Sequence, residues 1–219
     1  WTSLTGSEHE ALEAEYRARL TIEAEGEDFY NTFVLTNPDG GDDGRVRKQT
    51  PAIAEAYFTK GEAGPHIIET RIGRIGVGIC YENQLAYTPQ LMYSQSVDLM
   101  LMPHSAPSPM PSPLFPKRYV EMYDQHLMNI APYYAILLGI PVVMINKSGP
   151  WDSPIPMLPF LTQHSPFPGL SAIVDSDGTV KVRLGDEEAV IVEEVAMDPA
   201  RKTGIKPTCS GRWARKEPW

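Results

Sequence analysis

Three short runs of nearly unbroken small and apolar residues constrain this chain more than any other feature: Ile75-Gly-Val-Gly-Ile-Cys80, Val97-Asp-Leu-Met-Leu-Met102 and Pro141-Val-Val-Met-Ile-Asn146. None alternates with polar residues as a half-exposed strand does, so each reads as a strand covered on both faces. Two helical stretches lie between them. Residues 88–96 open on Pro89, and residues 117–138 set Val120, Tyr123, Leu127, Ile130, Tyr134 and Leu137 close to helical spacing. Pro132 must kink or divide that second helix, and Gly139 suits its C-terminal cap. Buried strands alternating with helices predict an α/β fold.

The flanks add hairpins. Phe29–Leu35 is rich in β-formers and runs into Asn37-Pro-Asp-Gly-Gly41, with Arg45-Val-Arg-Lys48 as the returning strand. His66–Ile72 alternates and turns at Gly73 into the first buried run. Leu170–Val174, a short strand at 179–184 and Ala189–Val195 read as further strands, which makes the sheet mixed. Ser7, with Glu10 three positions on, predicts a mostly solvent-facing helix over 7–20. Two Pro-rich stretches, 103–116 and 150–168, read as stiffened loops. Beyond Pro199 the tail carries six Lys/Arg against one Glu. It reads as an extended basic arm, 199–219, behind a single domain spanning 1–198.

Composition narrows the partners. The 219 residues are 42% hydrophobic and 21% charged, within the ordinary globular range, with a formal net charge of −9. Nucleic acid and anionic membrane both reward clustered positive charge, so neither is expected as a partner. No apolar run approaches the roughly 20 residues that span a bilayer. No basic segment followed by an apolar core opens the chain, so a cytoplasmic protein is expected. Cys80 and Cys209 are the two cysteines, too few for a disulfide scaffold and without zinc-type spacing.

Cys80 closes a buried run, and Tyr81-Glu82-Asn83 breaks it. A side chain where a strand stops sits at the sheet rim, and the next backbone N–H is free to face a reacting oxygen. A buried structural cysteine gives the same pattern. A thiol attacking a carbonyl or nitrile carbon also needs a proton acceptor, a cation or donor set for the oxyanion, and a group to hold these in place. Lys48 ends a strand at its own rim. It could stabilise thiolate and oxyanion together if the two strand ends are neighbours, or be a surface lysine. Glu55 is either a solvated edge position or a partner for Lys48. Glu82 either adds a carboxylate near the pocket or caps the following turn.

Taken in order, Tyr30-Asn-Thr, Pro38-Asp-Gly40, Arg47-Lys48, Glu55, Phe58, Gly61 and Gly76-Val-Gly-Ile-Cys80-Tyr-Glu82 resemble the nitrilase superfamily, the carbon–nitrogen hydrolases. Pro141 to Gly149 and Gly169 to Gly178 agree, as does Met197-Asp-Pro199, so the resemblance covers roughly 28–200. It implies a nitrilase-like four-layer α-β-β-α sandwich and a Glu, Lys and Cys catalytic set. By that resemblance Cys80 is the nucleophile, Lys48 the oxyanion stabiliser and Glu55 the second glutamate, orienting Lys48 and substrate. The backbone N–H of Tyr81 would complete the oxyanion hole. His104 would line the pocket. Asn146 would contact substrate or, as an amide at a strand end, hold loop backbone.

The resemblance leaves the family's first glutamate, its general base, without a counterpart. That residue lies on a segment ahead of the Tyr30 strand, where this sequence offers one polar helix and a poor strand. An N-terminally incomplete sandwich is therefore expected, hydrolysing amides slowly or not at all if it stands alone. The implied activity is hydrolysis of amide or carbamoyl bonds, with nitrile behind them, through a thioester-type intermediate. No metal or organic cofactor is implied. The expected partners are a small-molecule amide or nitrile and, by resemblance, a second copy in a homodimer or larger homo-oligomer. The rival reading is a silent relative that keeps the fold for binding or assembly.

Overall fold

The computed structural model describes residues 17–52, 55, 57–109, 116–155 and 158–202. Its first sheet is an antiparallel meander, β1 (Arg17–Glu25), β2 (Asp28–Thr36) and β3 (Asp42–Arg47), in that order. Residues 17–20 thus correct the helix expected over 7–20, whose remainder lies outside the described residues. Arg19, Thr21 and Glu23 alternate with Leu20, Ile22 and Ala24, a period of two that fits a strand and not a helix. A two-residue turn joins β1 to β2, with Gly26 supplying the positive φ of 63° it requires.

The second sheet holds six strands in the order β11-β10-β7-β6-β5-β4. Its members are β4 (Ile67–Thr70), β5 (Gly73–Val77), β6 (Leu99–Pro103), β7 (Val142–Ile145), β10 (Ala172–Val174) and β11 (Val180–Arg183). The centre, β5-β6-β7, is parallel and the flanking pairs are antiparallel, the mixed sheet expected. Helices α1 (Tyr87–Ser94) and α2 (Lys117–Leu138) cover one face. Met92, Ile130, Tyr134 and Leu138 pack in one cluster with Met100, Met102, Val142 and Met144 there. On the other face, Ile68, Ile75, Val77 and Ile79 pack against Phe33, Leu35 and Val46 of the first sheet. Helices on a sheet on a sheet are three of the four expected layers, all built from described residues.

Pro132 lies inside α2, yet the helix runs unbroken to Leu138 and ends on Gly139 at φ 67°. A proline frees the carbonyl four residues back, here that of Met128. Arg183 of β11 donates its guanidinium Nη2 to that oxygen at 2.6 Å, which replaces the missing helical bond.

Two further expectations are corrected. Residues 150–155 and 158–168 are not a loop but part of a ribbon, β8 (Ser148–Ile155) paired antiparallel with β9 (Leu158–Pro168). Pro150 opposes Pro166, Pro168 opposes Ser148 and Pro154 opposes Thr162, so these prolines share one alternate set of pairs. In that set the N–H groups point out of the ribbon and no ladder bond is lost. The Pro166 carbonyl points out accordingly and accepts from the Ser108 N–H at 2.8 Å. Ala189–Val195, in contrast, forms no strand, and Val190 is 87% exposed. β-Rich composition alone does not make a strand without a neighbour to pair with. Of the basic arm, the described part is a turn at 199–202 whose Lys202 ammonium holds Asp98 at 2.6 Å; 203–219 lie outside the described residues. No described helix is long and apolar enough to cross a membrane.

Candidate active site

β5 stops at Val77, and Gly78 and Ile79 carry the chain to Cys80. A Cβ on Gly78 would sit 2.0 Å from Asn83 Oδ1, so only glycine fits there. Cys80 adopts φ 52°, the left-handed region that disfavours an ordinary L residue by roughly 1–2 kcal/mol. A 3-10 turn over Cys80–Gln84 holds that conformation. The Ile79 N–H donates to Glu82 Oε2 at 3.0 Å, Asn83 Nδ2 donates to the Gly78 carbonyl at 2.7 Å, and the Tyr134 hydroxyl of α2 donates to the Asn83 carbonyl at 2.9 Å.

Burial pushes the Cys80 thiol above its ordinary range. Against burial work the Lys48 charge first and then the nearby backbone N–H groups of Ser105 and Tyr81. The strand ends are therefore neighbours, as the sequence requires of a lysine acting on this thiol. Lys48 follows β3, anchored through its own N–H to the Asn31 carbonyl at 2.8 Å, and its side chain is fully buried. Its ammonium pairs with Glu55. That carboxylate also accepts from Asn31 Nδ2 at 3.0 Å and from the Ala52 N–H at 2.8 Å. Three donors on one carboxylate leave Lys48 little freedom to turn away.

Of the described glutamates ahead of Tyr30, Glu23 and Glu25 both pair with Arg47. Glu23 lies on the opposite face of the first sheet, bonded to Arg47, Arg45 and Thr32. The Arg47 hydrogen bonds lead in holding its carboxyl down at about 2.

Asn146, at the end of β7, has both ends of its amide on one residue: Oδ1 accepts from the Ala106 N–H at 3.0 Å and Nδ2 donates to the Ala106 carbonyl at 3.2 Å. Of the two roles open from sequence, this geometry is loop support, and the loop is the one whose Ser105 N–H lies near the sulfur. A cavity of about 680 Å³ borders Asn146 on the sheet face away from the helices, between Ile173, Phe167 and Ile191. His104 is buried, and Asn83 Nδ2 lies 3.1 Å from its Nε2. The amide N–H₂ can only donate, which leaves the ring proton on Nδ1, and among the described residues the buried Nδ1 has no partner. Burial first, then the Lys48 charge and His126, press the His104 pKa down to about 3, so the ring is neutral.

Three residues near the cluster escaped the sequence reading as site residues. Tyr123, assigned there only to the helical stripe, is close enough to Cys80 that, after burial, the sulfur is the next cause raising its phenol to about 12. Its neighbour Asp124 accepts the Ser108 hydroxyl at 2.6 Å, tying α2 to the same loop. Ser105 had no signal at all, because its contribution is a backbone N–H.

Residues 10–204 match the carbon-nitrogen hydrolase family model. The chain belongs to the carbon-nitrogen hydrolase family. It is 25% identical over 185 residues to an N-carbamoylputrescine amidase of Arabidopsis thaliana, covering 77% of this chain and 56% of that protein. The chain thus spans about half the length of the curated relatives it matches. Among solved structures, the carbon-nitrogen hydrolase from Helicobacter pylori G27 superposes with a TM-score of 0.72 at 18% identity, over 83% of this chain and 61% of that one. A mutant of the amidase from Nesterenkonia sp. AN1 superposes with a TM-score of 0.62 at 18% identity, over 81% and 59%. That mutant carries the acetamide moiety of fluoroacetamide added covalently at the active site cysteine. The nitrilase-like sandwich expected from sequence is the fold of these structures.

Proposed function

We propose that this chain carries the thiol and oxyanion-stabilising half of a hydrolase for non-peptide C–N bonds, with amide and carbamoyl substrates ahead of nitriles. One observation supports it above the rest: a fully buried lysine, paired with Glu55, whose charge bears on the sulfur of a left-handed cysteine at a strand end. Cys80 Sγ attacks the carbonyl carbon. In this reading the oxygen gains negative charge opposite the Lys48 ammonium and the Tyr81 N–H. Collapse forms the thioester and expels the amine, which leaves with the proton the thiol gave up. Water then attacks the thioester, yielding the acid and restoring the thiol. Glu55 acts through Lys48, holding its side chain in place through their ion pair. Asn146 acts through Ser105, holding the loop N–H near the sulfur, and His104 walls the pocket as a neutral ring.

The N-carbamoylputrescine amidase likeness favours a carbamoyl or amide group over a nitrile as the reacting function. The protein is proposed to act in the cytoplasm, where its thiol stays reduced. A homodimer through α2 is the proposed assembly. Tyr119, Met122, Tyr133 and Ile136, spaced three, eleven and three residues apart, fall on one outer face of the helix, with Met122 60% and Tyr133 50% exposed. Ammonia release from a carbamoylated diamine and from a simple aliphatic amide tests the reading. Cys80→Ser is expected to lower it by at least about a thousandfold. Unchanged release in that variant would refute the proposal.

A further inference from the structure

Glu82 is a carboxylate with no exposure, and its hydrogen bonds gather at one junction. Its Oε1 accepts from the backbone N–H groups of Gln49 at 2.7 Å and Thr50 at 3.2 Å, the two residues that follow Lys48. Its Oε2 accepts from the N–H of Ile79, the residue that precedes Cys80, at 3.0 Å. The Tyr87 hydroxyl reaches Oε1 at 3.4 Å and also meets Thr50 Oγ1 at 3.1 Å. His66 faces the same carboxylate from β4's entry, Nδ1 to Oε2 at 3.9 Å, with that nitrogen 3.2 Å from the Val77 carbonyl. The remaining donors on the carboxylate are all backbone or hydroxyl groups; among the described residues, no lysine or arginine pairs with it.

We infer that Glu82 is a positioning residue: one buried carboxylate clamps the chain leaving Lys48 to the chain entering Cys80 and so sets the ammonium against the sulfur. This rests on the proposed partnership of Lys48 with Cys80 and adds what maintains it. The two residues come from different sheets, β3's exit and β5's exit, and 32 residues separate them. Packing of the two sheets through Val46, Ile75 and Val77 aligns their planes, but apolar contacts are non-directional. A charged acceptor taking N–H groups from both exits fixes their register, since such bonds are short, directional and about twice as strong as neutral ones. The left-handed backbone at Cys80 needs the same support. Glu82 touches neither sulfur nor ammonium, so it acts only through the two segments it joins.

The sign of one measurement separates this role from a simple charge effect. A carboxylate acting through space would hold the Cys80 thiol up, and neutralising it would bring the thiol down. A clamp does the opposite: without it Lys48 drifts, its help is lost, and the thiol rises further. The experiment follows the pH dependence of Cys80 alkylation by iodoacetamide in a Cys209→Ser background, comparing Glu82→Gln, Glu82→Asp, Lys48→Met and the Glu82→Gln/Lys48→Met double variant. Iodoacetamide needs no turnover, so the readout does not depend on catalytic competence.

Glu82→Gln is expected to slow alkylation at pH 7 by about tenfold, with the profile displaced to higher pH. Glu82→Asp, one methylene shorter with its charge kept, should recover part of that loss. In the double variant Glu82→Gln should add nothing to Lys48→Met, because the residue it positions is gone. A profile displaced to lower pH, an unchanged profile, or an equal Glu82→Gln effect with and without Lys48 would each overturn the clamp. If Lys48→Met itself leaves the profile unchanged, the Lys48 and Cys80 partnership fails, a separate result that takes the clamp with it. Should Glu82→Gln not fold, Glu82→Asp carries the same comparison: an effect that disappears without Lys48 supports the clamp, and one that persists refutes it.

Discussion

At the scale of single residues, His104 is the group whose state the surroundings settle most sharply. Its ring is buried beside a lysine charge, and its pKa falls to about 3 from an ordinary value near 6.5. The folded chain therefore refuses a proton that the unfolded chain accepts. Stability from this source is complete above pH 6.5 and is lost as pH falls toward 3, at up to about 1.4 kcal/mol per pH unit. Urea unfolding at pH 7.5 and 4.5 should show the parent losing about 2–3 kcal/mol more than His104→Gln, whose amide oxygen still accepts from Asn83. Parallel losses would contradict a buried neutral ring. Cys80, Lys48 and Glu55 each break a pattern in sequence: a cysteine closing an apolar run, a lysine closing a strand, a carboxylate among alanines. Those breaks left a structural cysteine, a surface lysine and a solvated glutamate open, and the family resemblance is what joined the three into one candidate set. Ser105 was not legible, since a backbone N–H has no residue signature. For Glu82 the choice between pocket wall and turn cap needed the fold, which shows that it caps the turn and also reaches across to Gln49.

Elements depart from the sequence reading where a tertiary partner overrides a local rule. Pro132 should divide α2, and it does not, because Arg183 from the far edge of the sheet takes the freed Met128 carbonyl. Arg183→Met is expected to destabilise the fold by about 0.5–1.5 kcal/mol, the net loss of one hydrogen bond to a solvent-accessible carbonyl. Pro132→Ala restores the helical N–H and should remove most of that penalty. Urea titrations of the two single variants and the double variant check this, and additive losses would refute the pairing. The β8–β9 ribbon was hidden for a related reason: a high proline content argues against strand, and only the pairing register reveals that Pro150, Pro154, Pro166 and Pro168 fall where no N–H is needed. Ala189–Val195 errs the other way. Its composition suits a strand, and the sheet has already ended at β11. The three buried runs were read correctly because uniform apolarity in so short a span leaves few alternatives to a strand between two layers.

Across the whole molecule, the layers bring the exits of β3, β5, β6 and β7 toward one region, where Lys48, Cys80, Ser105 and Asn146 stand. The outward stripe of α2 is the corresponding feature of its surface. Sedimentation velocity should find dimers that Met122→Glu converts to monomers; an unchanged sedimentation coefficient would remove α2 from the interface. The family and sandwich could be read from the order of weak motifs, whereas the layer contacts could not, since they join segments distant in sequence. The central claim is that the buried ammonium of Lys48 activates the sulfur of Cys80 toward a planar C–N compound. Peptide-mapped mass spectrometry after exposure to fluoroacetamide tests it most directly, since that reagent adds its acetamide moiety at the active site cysteine of the Nesterenkonia amidase mutant. The account predicts an acetamide adduct on Cys80, lost in Lys48→Met. An unlabelled Cys80, or labelling that survives removal of the lysine, would contradict it.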